Sequence, residues 1–275
     1  LLSCWLLAGV LVNVPWFSLA GGISQSKILI ALDHVMPPVP TIEAKVAALF
    51  RSADFPSVFA DVVAPTVPSV ATPSSSSMAV HVAGRESAVL KVLAMGACGS
   101  SHEGTGFVVA NNQIVTNAHV IAGASIVTVN GSRAVVRLVD PRDDIAVLSV
   151  NTQGRLAISF ASPPSRGAAT AVVGFPLDGP LRISPSAFAG SVQALSRDIY
   201  GGATFTRHLL VLNAAVQPGN SGSPVLEFGR AIGVVVSRST SDNTTAYAVP
   251  ASVVQADLAK VNLASSVSTG ACIAN

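Results

Sequence analysis

Gly104-Thr105-Gly106-Phe107-Val108-Val109-Ala110, two asparagines, then Gln113-Ile114-Val115-Thr116-Asn117-Ala118-His119-Val120-Ile121: this stretch decides the fold class. Each apolar run is too short for an ordinary helix, is rich in β-branched residues and is bounded by Gly or Asn, so both read as strands. The same grammar continues on either side. From about Met78 onward about a dozen such runs recur between Gly, Pro, Asn and Asp, among them AVLKVLA (88–94), SIVTVNG (125–131), RAVVRLVD (133–140), AATAVVGF (168–175), GSVQAL (190–195), HLLVLNA (208–214), AIGVVVS (231–237) and TAYAVP (245–250). No helical period of similar strength intervenes until residues 251–261, which read as a C-terminal helix. An all-β sandwich or a pair of barrels is the architecture that fits.

Upstream the text changes character. Between Ala64 and Ser77 the sequence APTVPSVATPSSSS is proline- and serine-rich and uncharged, the composition of a linker. Residues 1–26 carry no charge, Lys27 is the first ionisable side chain, and both tryptophans, Trp5 and Trp16, fall in this run. A bilayer core needs about 20 apolar helical residues, and residues 1–23 supply them. A signal peptide would need a basic region ahead of the apolar run, and none is present. Residues 36–63 read as helical and membrane-proximal, with Ile42, Val46, Leu49 and Phe50 at helical spacing.

The composition excludes several function classes. The chain has 275 residues, half of them hydrophobic and only 11% charged, with a mean hydropathy of +0.58. Sixteen basic against fourteen acidic side chains leave a net charge of +2, too little for a basic stripe along nucleic-acid phosphates. The apolar content is ample for a core, so the chain as a whole is not disordered.

Three segments carry chemistry. Thr116-Asn117-Ala118-His119-Val120 ends a strand with a histidine beside a small residue. Asp143-Asp144-Ile145-Ala146-Val147-Leu148 sets an acid before a buried strand. Pro218-Gly219-Asn220-Ser221-Gly222-Ser223-Pro224 wraps a tight glycine-rich turn around a serine. A serine hydroxyl becomes a nucleophile when a base takes its proton, and that base needs its other ring nitrogen held by a buried acid. Each segment alone has a bland reading: a structural histidine, a turn aspartate, a glycine turn. Their joint occurrence inside a β region points to a Ser-His-Asp hydrolase.

The segments TNAHV, DDIAVL and PGNSGSP resemble the catalytic blocks of the trypsin-like serine proteases, most closely the HtrA-type branch, with GTGFVV, VVGFP, GSVQAL, AIGVVVS and AYAVP as supporting text over about residues 87–262. The resemblance implies a mainly β chymotrypsin-like fold of two six-stranded barrels that divide near residues 150–170. It implies that His119 is the general base, Asp144 its orienting acid and Ser221 the nucleophile, with the N–H groups of Gly219 and Ser221 as oxyanion hole. Asp144 is preferred to Asp143 because it directly precedes the apolar IAVL. Asn213, Ala214, Ala215, Val216 and Gln217 are expected to line the S1 pocket, and Val236, Ser237 and Arg238 to pair with a peptide substrate. No acid stands where selectivity for Lys or Arg would need one, so an uncharged P1 residue is expected. Ser223 departs from the family's usual second glycine after the nucleophile.

The layout, an apolar segment ahead of the protease, is similar to that of the actinobacterial membrane-anchored periplasmic serine proteases, typified by the mycobacterial acid-resistance protease. That likeness implies that residues 1–35 are the tail of a CvpA-like membrane domain, that 36–63 are membrane-proximal, 64–80 the linker and 81–275 the protease. It also implies an extracytoplasmic enzyme of envelope stress or acid resistance. Protein or peptide substrates are expected, with the membrane as a partner through the N-terminal segment, a monomeric protease domain, and neither nucleic acid, metal nor cofactor. A protease fold that only binds peptides, or a component of membrane transport or secretion, are the rival readings. Cys4 is most simply a packing residue. Cys98 and Cys272 flank the protease region with no zinc-type spacing, and are expected to form a disulfide in an oxidising compartment.

Overall fold

The structure, a computed structural model, describes residues 67–96, 101–239 and 242–273. The expected membrane domain (1–35), the membrane-proximal segment (36–63) and Cys98 lie outside them. No helix among the described residues is long and apolar enough to cross a membrane.

The described chain opens on an irregular stretch, a short helix α1 (Met78–Val82), and then strands β1 (Val89–Gly96), β2 (Ser101–Ala110), β3 (Gln113–Thr116), β4 (Ala124–Val129), β5 (Ser132–Arg133), β6 (Val135–Asp140) and β7 (Ile145–Ser149), with a four-residue helix α2 (Ala118–Ile121) after β3. These seven strands form one antiparallel sheet in the order β5-β4-β1-β2-β3-β7-β6. Strands β8 (Ala169–Gly174), β9 (Arg182–Ser196), β10 (Phe205–Ala214), β11 (Pro224–Glu227), β12 (Arg230–Arg238) and β13 (Thr245–Pro250) form a closed barrel in the order β10-β13-β12-β11-β8-β9, and helix α3 (Ala251–Leu258) follows. The division between the two falls between Ser149 and Ala169, as expected.

Six strands per barrel holds for the second barrel only. The first sheet has seven strands, and no ladder joins β5 to β6. Asn130-Gly131, with φ of +45° and +80°, makes the tight turn that adds the two-residue β5. Ala134 N–H then donates to Val127 C=O at 2.9 Å, and β6 starts at the next residue. The two ends of the strand order are thus joined by the chain, and the sheet curls on itself without a closing ladder.

Apolar burial follows the strand period. β1 alternates along Val89–Gly96, and its partner β2 sets Phe107 opposite Val89 and then opposite Val115 of β3. Phe107, Ile114, Ile121, Ile145 and Leu148 are fully buried from the first half of the chain, and Leu209, Leu210, Leu212, Leu226 and Ile232 from the second. From Val67 on, the Pro/Ser-rich segment lies against the second barrel. Arg166 Nη2 donates to Pro68 C=O at 2.8 Å, the Asn213 side-chain amide donates to Val70 C=O, and Val67 and Val70 pack on the core. Met78 and Val82 of α1 are buried. At the other end Val267 N–H donates to Val136 C=O at 3.0 Å and Thr269 Oγ1 to Ala124 C=O at 2.8 Å, so the C-terminal tail runs along the first sheet. Cys272, in that tail, is disulfide-bonded.

Candidate active site

His119 sits on α2, one turn of helix that ends strand β3, and Asp144 sits at the turn into β7, which pairs with β3. Strand pairing therefore brings the two loops together. The Asp144 carboxylate grips His119 at two points: Oδ1 accepts the backbone N–H at 2.8 Å and Oδ2 lies 2.6 Å from Nδ1. Asn117 Nδ2 donates to the Asp144 carbonyl at 2.8 Å, which fixes the backbone of the acid. Asp144 is 0% exposed and His119 4%. With Nδ1–H donated to the carboxylate, the neutral ring keeps a lone pair on Nε2, the tautomer a general base needs.

Ser221 lies between β10 and β11 of the second barrel and is buried. Its turn is stitched to β12 by Gly222 N–H to Val235 C=O at 3.0 Å and Val235 N–H to Ser223 C=O at 2.9 Å. The first sheet meets the same turn through β2, where Thr105 N–H donates to Ser221 C=O at 2.8 Å. Gly104 marks how close the approach is. A Cβ there would lie 2.7 Å from Val120, the neighbour of His119, and 3.0 Å from the Ser221 carbonyl oxygen. Histidine and serine segments thus pack on either side of one glycine.

Gln217, Pro218, Gly219 and Asn220 make a β-turn closed by Asn220 N–H to Gln217 C=O at 3.0 Å. Pro218 holds its own φ negative while Gly219 has φ +88°, the combination of a type II turn. In that turn the peptide between Pro218 and Gly219 is flipped relative to type I. Among the described residues neither Gly219 N–H nor Ser221 N–H donates to a backbone oxygen. Two donors at one turn are then available to a developing negative charge.

The expected pocket residues divide. Ala214 and Val216 are buried in an apolar cluster with Phe188, Leu212, Val225 and Ala246, whereas Ala215 is exposed. Asn213 directs its side-chain amide to Val70. Val236 and Ser237 are buried on β12, with Ser237 opposite Tyr247 and Arg238 opposite Ala246.

Charged groups frame the site. Arg207 of β10, buried, donates to the Arg142 carbonyl and stacks 5.3 Å from the Phe205 ring, which brings a cation beneath the loop that carries Asp144. Burial pulls its guanidinium below the usual range, against the pull of Asp144 and Asp143. Asp143 is pushed up by burial and by Asp140. The carboxylates of Asp140, Asp143 and Asp257 lie within 4.8 Å of one another, but Lys260 Nζ already stands 2.6 Å from Asp257 and 3.3 Å from Asp140. On the other side, Lys91 Nζ pairs with Asp178 at 2.6 Å, and burial and a hydrogen bond to Asp178 push the Glu103 carboxyl up to about 7. Sequence reading missed Asn117, Thr105 and Arg207 as parts of this framework. The first two stand inside quoted motifs; Arg207 lies in no motif and had no signal.

A buried Asp-His pair, a serine in a glycine turn and a closed antiparallel barrel are the frame of the chymotrypsin-fold serine peptidases. Comparison with known proteins narrows the class. The trypsin-like peptidase domain family matches residues 104–234. The serine protease Rv3671c of Mycobacterium tuberculosis is 31% identical over an alignment 284 positions long, gaps included, spanning 99% of this chain and 72% of that protein. A crystal structure of the Rv3671c protease in its active form superposes with a TM-score of 0.72 at 33% identity, covering 76% of this chain and 96% of that one. A probable periplasmic serine endoprotease, DegP-like, of Bartonella henselae is 32% identical over 159 residues, 54% of this chain and 31% of its own length. The chain belongs to the trypsin-like serine proteases, and it is a serine endopeptidase.

Proposed function

We propose that His119, Asp144 and Ser221 are the catalytic triad and that the chain cleaves peptide bonds through an acyl-enzyme. His119 Nε2 takes the Ser221 Oγ proton as the oxygen attacks the scissile carbonyl, and Asp144 stabilises the imidazolium that forms. Gly219 N–H and Ser221 N–H receive the oxyanion, where loss of one donor typically costs about 100- to 1,000-fold in rate. The imidazolium returns its proton to the leaving amine, and water then enters by the same route in reverse to free the acyl group. The observation that carries this reading is the two-point grip of Asp144 on His119, because it selects both the tautomer and the orientation of the ring. The apolar surroundings of Ala214 and Val216 favour an uncharged P1 side chain.

The finer parts of the reading rest on layout. Residues 1–35 anchor the protein in a membrane, 64–80 lead into the protease at 81–275, and the protease works outside the cytoplasm in envelope stress or acid resistance. Cys98 is the partner of Cys272. In support, β1 ends at Gly96, which pairs with Ala124, and Thr269 bonds that same Ala124, so the two cysteine-bearing segments start from one place.

A fluorophosphonate tests the reading. The protein is expected to label covalently and stoichiometrically, and Ser221→Ala and His119→Ala to lose the label. An unlabelled wild type would turn the assignment toward a peptide-binding module.

A further inference from the structure

Thr105 is 0% exposed, stands on β2 opposite Lys91, and belongs to neither the dyad nor the serine turn. We infer that Thr105 is a positioning residue of the peptidase reaction, whose hydroxyl holds the Gly219 peptide so that the oxyanion donors face the substrate. The inference rests on the triad reading above and deepens it.

Every hydrogen-bonding group of Thr105 is committed to the site. Its N–H donates to Ser221 C=O at 2.8 Å, and its C=O accepts Thr116 Oγ1 at 2.7 Å. Its Oγ1 donates to Gly219 C=O at 2.8 Å and accepts Phe175 N–H at 3.1 Å. The loop that Phe175 opens supplies a further donor, Leu177 N–H, to Pro218 C=O at 2.8 Å. The carbonyls of Pro218, Gly219 and Ser221 are therefore each tied to the scaffold, two of them by Thr105.

That arrangement bears on the donors through peptide geometry. Within one trans peptide the C=O and the following N–H point in opposite directions. Holding Pro218 C=O on Leu177 aims Gly219 N–H away from the loop, and holding Gly219 C=O on Thr105 fixes the next plane. A flip of the Pro218–Gly219 peptide would convert the type II turn to type I and withdraw one oxyanion donor. Such a flip is cheap in a free chain, since proline tolerates both ψ values and glycine both φ signs. The flip would break the Leu177 bond to Pro218 C=O directly, and the Thr105 hydroxyl, bonded to Gly219 C=O and to Phe175 N–H, holds in place both the peptide plane and the loop against which it would turn. Space around the turn allows no substitute: a Cβ on Gly219 would lie 2.2 Å from Phe175 O, and one on Gly222 2.0 Å from Thr105 O.

The test compares wild type, Thr105→Ser, Thr105→Val and Thr105→Ala in the full chain, with kcat and KM on a chromogenic peptide, affinity for a peptide boronic acid, and Tm. Losing the hydroxyl is expected to lower kcat about 10- to 100-fold with KM within about threefold, somewhat less than outright loss of a donor. Boronate affinity is expected to fall in parallel, and Thr105→Ser to restore both to within about threefold. Should Thr105→Val fail to fold, the contrast between Ser and Ala isolates the hydroxyl. Equal kcat in the Ser and Ala variants, or a fall in Tm with kcat per folded molecule unchanged, overturns the inference and leaves the triad standing. A wild type that neither labels nor turns over peptide overturns both.

Discussion

Asp144 has φ +56°, a left-handed conformation that aspartate tolerates better than most residues because its short polar side chain bonds locally. Here the side chain is wholly used by His119, and the backbone carbonyl by Asn117, so three hydrogen bonds offset the strain. A single residue thus sets tautomer, orientation and backbone bend. Gly222 shows the opposite case, in which a missing side chain is the requirement. Its φ is +83°, and a Cβ would lie 2.0 Å from Thr105 O; Gly84 has φ +71° with nothing within 4 Å. Both are left-handed, yet only one is crowded. Gly84→Ala is expected to cost about 1 kcal/mol and keep full fluorophosphonate labelling, whereas Gly222→Ala is expected to cost about 3 kcal/mol or more and lose it. Denaturant titration beside labelling separates the two.

At the scale of elements, the serine turn is held from both sheets: by β12 and the Phe175–Asp178 loop of its own barrel, and by Thr105 of β2 from the first sheet. Leu177 and Asp178 both have φ +54°, and the loop is pinned outward by Lys91 and Glu103 of the first sheet. Glu103 and Asp178 pull on each other: Glu103 is pushed up to about 7 by burial first and by Asp178 second, while hydrogen bonds from Lys91 and then Glu103 hold Asp178 below its usual range. In the unfolded chain Glu103 titrates near 4.5. The folded state therefore binds the proton more tightly, so the stability from this group is full below about 4.5 and is lost as pH rises through 7. Glu103→Gln keeps a neutral donor at every pH. Relative to this variant, the wild-type Tm is expected to fall by about 1–2 °C between pH 5 and pH 8, a small effect because the pair is partly exposed. A constant difference across that range would remove the raised Glu103 carboxyl from the account. The legibility of elements was uneven. Most strands announced themselves by short apolar runs, but of β9 (Arg182–Ser196) only 190–195 did so. Ser184, Pro185 and Ser186 carry no apolar run, and they form strand because β8 pairs with all three and β10 joins from Ser186 on.

Over the whole molecule, both ends of the described chain are tied to the protease. Residues 67–70 dock on the second barrel through Arg166 and Asn213, although their composition is that of a linker. Proline-rich backbone has carbonyls that donors on a folded surface can capture, and composition does not report on those donors. The tail runs back along the first sheet to Cys272. In the loop-entropy picture a Cys98–Cys272 bridge contributes roughly 5 kcal/mol, an upper figure because native strain lowers it. Reduction is expected to lower Tm without changing a Cys98→Ser variant, and a non-reducing peptide map is expected to join the peptides of residues 98 and 272. Both thiols free in the intact protein would sink the pairing.

The sequence by itself determined the class of fold, the three chemical segments and their order, because strand periodicity and the turn chemistry of Pro218-Gly219 are local and read in one dimension. The proposed site reads from TNAHV, DDIAVL and PGNSGSP, and the structure brings His119 and Asp144 into contact. Only the tertiary structure decided the seventh strand of the first sheet, the cation beneath the acid at Arg207, the turning of Asn213 toward Val70, and the hold of Thr105 on the serine turn. The last three of these join residues far apart in the chain through one or two hydrogen bonds. Such bonds add no periodicity and no composition to the text, and they exist only once the hydrophobic core has brought their partners within reach.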